Sequence, residues 1–175
     1  MANEINKFDT IAGLKDVQRP YLFELVITNP TGVTASEDEI TLRCHKASIP
    51  GRGAEVIETN FYGLKAHYAG RPTYGNNQLN VEFTEHEDQQ VIKFLYDWNN
   101  LVYNTDTGNG GSEKSYKTDI VLNMYKNTRT KLPYFIQFKN CFVETIADSD
   151  LIHGQASEGV KYSVTFRFDY WILGE

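Results

Sequence analysis

Val160-Lys-Tyr-Ser-Val-Thr-Phe-Arg-Phe-Asp-Tyr-Trp-Ile172 is the stretch whose reading decides the fold. Val160, Tyr162, Val164, Phe166, Phe168, Tyr170 and Ile172 fall on one side of a period-two pattern, and Lys161, Ser163, Thr165, Arg167 and Asp169 on the other. That spacing predicts one long antiparallel strand with an apolar face on a core and a polar face on water or another subunit. Each large side chain so buried contributes roughly 1.5–3 kcal/mol, so the segment belongs to the core of the domain. Trp171 alone breaks the alternation and is expected to pack outside the core of its own sheet, against the helix or a neighbouring chain.

Working outward, further runs carry the same signature. Tyr21–Thr28, Ile40–Ile49, Leu79–Phe83, Thr118–Lys126 and Pro133–Ile146 read as strands, the first half apolar on both faces. Val56–Ala69 reads as an extended hairpin bending near Gly63; its alternation is poor, as expected of a hairpin that projects to meet other chains. A helix is expected from about Thr84 to 103, with Thr84 and Glu87 at capping-box spacing and a stripe of Val91, Phe94, Leu95, Trp98, Leu101 and Val102. Residues 4–17 suggest a short amphipathic helix through Ile5, Phe8, Ile11, Ala12 and Val17, ended by Arg19-Pro20. Residues 29–39, 104–115 and 147–159 read as polar loops, the middle one mobile.

With 175 residues the chain fits one domain, 1–175, with a core of its own. Hydrophobic residues make up 41% and aromatic ones 13%, which suits a β-rich globular protein. A formal net charge of −6 argues against a protein that grips nucleic acid through basic patches. There is no apolar run long enough to span a membrane, so no membrane insertion is expected. Met1–Lys7 lacks the apolar core of a signal peptide, and Cys44 and Cys141 are accordingly expected as buried free thiols.

The search for chemistry yields little. Glu85-His86-Glu87-Asp88 lacks metal-ligand spacing and reads as a helix start. His45, His67 and His153 share no spacing with one another or with a nucleophile, and Gly108-Asn-Gly-Gly-Ser-Glu-Lys114 is not a phosphate loop. No catalytic residue, metal or cofactor is expected. These readings leave three classes open: a structural protein, a soluble β-barrel or sandwich binding a small ligand or sugar, and an enzyme whose site is assembled from distant residues.

Several segments together resemble the tail tube proteins of contractile-tailed bacteriophages, a family related to the tubes of other contractile injection systems. They are Arg19-Pro-Tyr-Leu-Phe23, Leu42-Arg-Cys-His-Lys-Ala-Ser-Ile-Pro-Gly51, the hairpin through Ala69-Gly-Arg71, the helix end Phe94-Leu-Tyr-Asp-Trp98, and Tyr162–Trp171. They occur in the order of the family over nearly the whole chain, though loops 29–39 and 104–115 are longer than its minimum. The resemblance implies a mainly β (α+β) fold: a two-sheet antiparallel β sandwich or partial barrel with one flanking α-helix, a short N-terminal helix and a projecting hairpin.

It also implies a non-enzymatic role in the phage virion, assembled in the host cytoplasm. Hexameric rings would stack into a tube inside a contractile sheath, with a baseplate initiator, a tail terminator and a tape measure protein in the lumen. DNA would pass through without specific binding during genome delivery. Inter-subunit and inter-ring contacts are expected at Ile5, Phe8, Gly51, Arg52, Glu55, Phe61, Tyr62, Leu64, Tyr68, Arg71 and Tyr74. Glu58, Asn60, Asn80 and Glu82 are expected on strand faces that line the lumen.

Overall fold

The structure of the protein is a computed structural model that describes residues 16–149, 151 and 159–175. The expected N-terminal helix, with Ile5 and Phe8, and His153 lie outside the described residues. The elements run β1 (Phe23–Ile27), α1 (Glu37–Arg43), β2 (Cys44–Ala47), β3 (Gly53–Phe61), β4 (Leu64–Thr73), β5 (Gln78–Thr84), α2 (Gln90–Val102), α3 (Glu113–Tyr116), β6 (Thr118–Met124), β7 (Phe135–Ile146), β8 (Lys161–Arg167) and β9 (Tyr170–Gly174).

All strand pairs are antiparallel. β1, β6, β7, β8, β5 and β2 follow one another in a seven-stranded sheet, and β9 pairs with β7 off that path. The 12-residue β7 organises the molecule. β8 lies along Phe142–Ile146, and β9 continues beside Phe135–Lys139. β6 occupies the other edge of the first half of β7. The sheet therefore folds into two layers, β1-β6-β7-β9 and β7-β8-β5-β2, that share one bent ribbon.

The segment expected as a single strand is thus two, broken at Phe168-Asp169. Its alternation keeps Val164, Phe166 and Phe168 buried, but Tyr170 and Ile172 beyond the bend are exposed. The corner is built by distant polar groups. Phe168 N–H donates to Asn77 O, and the Asn77 amide donates to the carbonyls of Phe168 (3.1 Å) and Asp169 (2.8 Å). Across the ribbon, Asn140 Nδ2 donates to Asp169 Oδ2 at 2.7 Å. Asn77 and Asn140 adopt φ of 55° and 58°, a left-handed conformation that asparagine tolerates better than most residues.

Between the layers lie Leu25, Ile27, Ile120, Leu122, Ile136 and Phe138 from one and Leu79, Val81, Phe83, Val143, Val164 and Phe166 from the other. α2 closes the core with Val91, Phe94, Leu95 and Trp98. Trp98 packs 5.2 Å from Phe166 and 5.6 Å from Phe94, and its Nε1–H donates to Tyr116 O at 2.7 Å. The layers form a partial rather than a closed barrel.

Three expected boundaries are corrected. Residues 29–39 and Ile40–Ile49 are not a loop followed by a long strand: Glu37–Arg43 is a helix, leaving only Cys44–Ala47 as strand. Ser36 Oγ accepts from Glu39 N–H, so Ser36-Glu-Asp-Glu39 is a helix start that the strand pattern concealed. α2 begins at Gln90, not near Thr84, and the Thr84–Glu87 box does not form. Its first turn is capped from outside, since Glu85 accepts from the amides of Val91 (3.3 Å) and Ile92 (2.8 Å). The 104–115 segment is ordered by an Asn104 turn, a Tyr103–Gly110 bridge and α3.

β1 is also shorter than expected, with Tyr21 exposed. Cys44 and Cys141 are free, Cys141 buried as expected and Cys44 half-buried. Burial pushes the Cys44 thiol up to about 12 and raises Cys141 as well, so both stay protonated at neutral pH.

Candidate assembly surfaces

The hairpin β3–β4 is a two-stranded sheet of its own. Tyr62 (φ 46°) and Gly63 (φ 80°) form its turn, with consecutive positive φ as in type I′ hairpins. Because paired residues share a face, this turn sorts the side chains. Ile57, Thr59 and Phe61 lie with Leu64, Ala66 and Tyr68, while Glu58 and Asn60 lie with Lys65 and His67. The hairpin is therefore amphipathic, a property that its linear sequence obscures.

Its apolar face is unpartnered among the described residues. Ile57, Phe61, Leu64 and Tyr68 are 54, 52, 76 and 53% exposed, although a large apolar side chain gains most by burial. Tyr62 at the tip is fully exposed. On the polar face Lys65 Nζ sits 2.6 Å from Glu58 Oε1.

The root of the hairpin is anchored. Gly51 and Arg52 lead into β3, and Tyr74 follows β4. The Arg52 guanidinium lies 5.6 Å from the Tyr74 ring and 5.8 Å from the Trp171 ring, and the two rings meet edge to face at 6.1 Å. Trp171 thus packs on the hairpin root of its own chain and against the core, on the side of β9 that Phe138 shares, rather than outside the core as expected. Glu55 lies at a register shift between Ala54 and Val56, opposite Gly70, where a Cβ would come within 3.1 Å of Glu55 O. Arg71 is exposed on β4.

The outward face of β2-β5-β8 is polar. Asn80 Oδ1 accepts from Thr165 Oγ1 at 2.9 Å, and Lys46 Nζ lies 3.3 Å from Glu82 Oε1. At its β7 border Arg167 pairs with Glu144, which also accepts from Gln78 Nε2 at 3.0 Å. Asn80 and Glu82 are therefore neighbours on a strand face, whereas Glu58 and Asn60 occupy the hairpin; a single chain does not join all four on one surface.

The strongest charge cluster is structural. Arg43, at the end of α1, bonds Asp88 through both terminal nitrogens (2.7 and 2.5 Å) and reaches Glu85 at 3.5 Å, tying α1 to the start of α2. The guanidinium holds the Asp88 carboxyl below its usual range, and Arg167 does the same to Glu144. Between the depressed native values and the ordinary range near pH 4, the unfolded chain binds more protons, so stability rises with pH. Urea midpoints are expected to hold above about pH 5 and fall on further acidification. An Arg43→Met, Arg167→Met variant should show a shallower acid dependence, and equal slopes would remove these pairs as its cause.

Among the described residues no group of histidine, cysteine and carboxylate side chains could hold a metal, and no helix is long and apolar enough to cross a membrane.

The fold has counterparts in solved contractile machines. A chain in the cryo-EM structure of an extracellular contractile injection system, PVC sheath/tube terminator in extended state, superposes with a TM-score of 0.67 at 13% identity, covering 93% of this chain and 99% of that one. A chain of the PVC sheath-tube complex in extended state gives 0.64 at 14% identity, covering 94 and 95%. One from the anti-feeding prophage cap, a tube terminating cap, gives 0.62 at 16% identity, covering 99 and 98%. No curated protein matches the chain.

These likenesses define a tube-type fold. The sequence profile described as phage tail tube protein matches residues 18–174, and the chain belongs to that family. It is a structural tail tube component, not an enzyme.

Proposed function

We propose that this chain forms the inner tube of a contractile tail as hexameric rings stacked end to end within a sheath, the lumen serving as the conduit for genome delivery. The observation that carries the reading is the amphipathic hairpin, whose apolar face finds no cover within the described part of its own chain. Burial against another copy removes that exposed surface, and repeated contact between unlike surfaces generates rings or filaments. Gly51, Arg52, Glu55, Phe61, Tyr62, Leu64, Tyr68, Arg71 and Tyr74 are the contact set, with Ile5 and Phe8 contributed by the N-terminal segment.

Asn80 and Glu82 would line the lumen, and Glu58 and Asn60 would join them where the polar face of the hairpin turns inward. The face of Asn80 and Glu82 also carries Lys46 and Arg167, each paired with a carboxylate, so a bore without excess cation would hold the phosphate backbone only weakly, whereas added lysines would bind it and release counterions. Sheath, baseplate initiator, terminator and a tape measure protein in the lumen are the partners this role requires, and host cytoplasm is the place of assembly.

Glu58→Lys with Glu82→Lys tests the lumen. Assembled particles carrying both changes should eject DNA more slowly, with the deficit relieved by raised salt. Unchanged ejection from intact particles would remove these residues from the bore.

A further inference from the structure

We infer that β3 of one copy adds as a strand to the free edge of β9 in the next copy, so that the hairpin extends the β1-β6-β7-β9 layer of its neighbour. This rests on the tube reading and names the surface that receives the hairpin. Among the described residues β9 pairs with β7 alone. Natural edge strands are ordinarily guarded by proline, lysine, a bulge or a covering segment. Tyr170-Trp-Ile-Leu-Gly174 contains neither proline nor lysine, its register with β7 is unbroken, and Tyr170, Ile172 and Leu173 are all exposed. An apolar edge left unguarded among the described residues is suited to docking a strand of another copy.

β3 matches it in chemistry and length. Its nine residues, Gly53–Phe61, contain no proline or lysine, and the regular stretch beyond the register shift at Glu55, Val56–Phe61, is long enough to span β9. Strand addition supplies main-chain hydrogen bonds along the edge and leaves specificity to alternate side chains. The faces agree as well. Trp171 and Leu173 share a face with Phe138 and Ile136 on the core side of the layer, so the Ile57-Phe61 face can continue apolar surface there. Glu58 and Asn60 then fall on the opposite side, with Tyr170 and Ile172.

Charge around β9 is mixed, with Asp169 and Glu175 at its two ends and cations to either side of it. β3 carries Glu55 and Glu58 and no cation. Cations flank β9 at both faces of its surroundings: Lys131 Nζ is 4.9 Å from the ring of Phe135, the partner of Gly174, and Arg52 lies over Trp171. A contact joining two different surfaces of one chain is heterologous and propagates from copy to copy. The clamp of Arg52, Tyr74 and Trp171 then has a consequence: it couples the direction in which a copy projects its hairpin to the strand that receives the hairpin of its neighbour.

Disulfide trapping in assembled tubes tests the inference. In a Cys44→Ala background, one tagged copy carries Ile172→Cys and a second carries Val56→Cys, Glu58→Cys or Asn60→Cys; bridged positions require Cα atoms within about 7 Å. At least one same-face combination should cross-link most of the mixed pairs in tubes and none in free subunits, while Ile57→Cys and Phe61→Cys should not link. As an independent readout on the unaltered protein, amides of Tyr170–Gly174 should gain more than tenfold protection from hydrogen exchange on assembly. Tubes that form with no link at any β3 position and no gained protection overturn the β9 assignment and leave the tube reading intact. A chain that never assembles, with other tail components supplied, overturns both.

Discussion

Trp98→Ala is expected to cost about 3–5 kcal/mol of folding stability, a large share of the roughly 5–15 kcal/mol available to a domain. Trp98 is 0% exposed and is the largest fully buried side chain. It joins α2 to β8 through Phe166, and its indole N–H is bonded to Tyr116 O. Truncation both opens a cavity between helix and sheet and deprives a carbonyl of its donor. Trp98→Phe separates the two losses: much of the ring packing survives while the hydrogen bond goes, at a cost of about 1–3 kcal/mol. Urea unfolding followed by circular dichroism would measure both, and a loss under about 1 kcal/mol for the alanine variant would contradict this account of the core.

The second large effect leaves the subunit folded and removes its assembly. Ile57→Asp with Leu64→Asp changes two exposed residues on the apolar face of the hairpin. Neither residue belongs to the buried core, so stability of the free subunit should move by no more than about 0.5 kcal/mol per site. In an assembly each of those side chains is worth roughly 1.5–3 kcal/mol when buried, and an aspartate there must also be desolvated. Every copy in a tube carries the defect, so polymer should disappear altogether. Sedimentation with electron microscopy distinguishes the outcomes, and normal tubes from this variant would show that the apolar face lies outside the contacts.

Much of the architecture could be read from local pattern. Leu79, Val81 and Phe83, Val164 and Phe166, and the stripe Val91, Phe94, Leu95 and Trp98 all lie in the core where their periods put them. Features set by long-range polar bonds were not legible. The apolar period runs unbroken through Phe168 and Tyr170, yet Asn77 and Asn140, distant in sequence, turn the chain at Asp169. The first turn of α2 is satisfied by Glu85, upstream of any standard cap position, and α1 is so short that its Ile40–Leu42 alternation reads as strand. At the hairpin the missing information was register: once Tyr62-Gly63 fixes the turn, an ill-patterned segment resolves into an apolar and a polar face. Trp171 breaks the period of the last strand because the bend at Asp169 reverses the alternation, turning Trp171 toward Phe138 and the core, where it also meets Tyr74 and Arg52 of the hairpin root.

The measurement that bears most directly on the central proposal is cryo-EM of the purified chain incubated with the initiating components of its tail. Hollow tubes of stacked hexameric rings are expected, with the polar face of β5 and β8 on the bore and each hairpin seated on a neighbouring copy. Persistent monomers under those conditions, or tubes in which that polar face points outward, would contradict it.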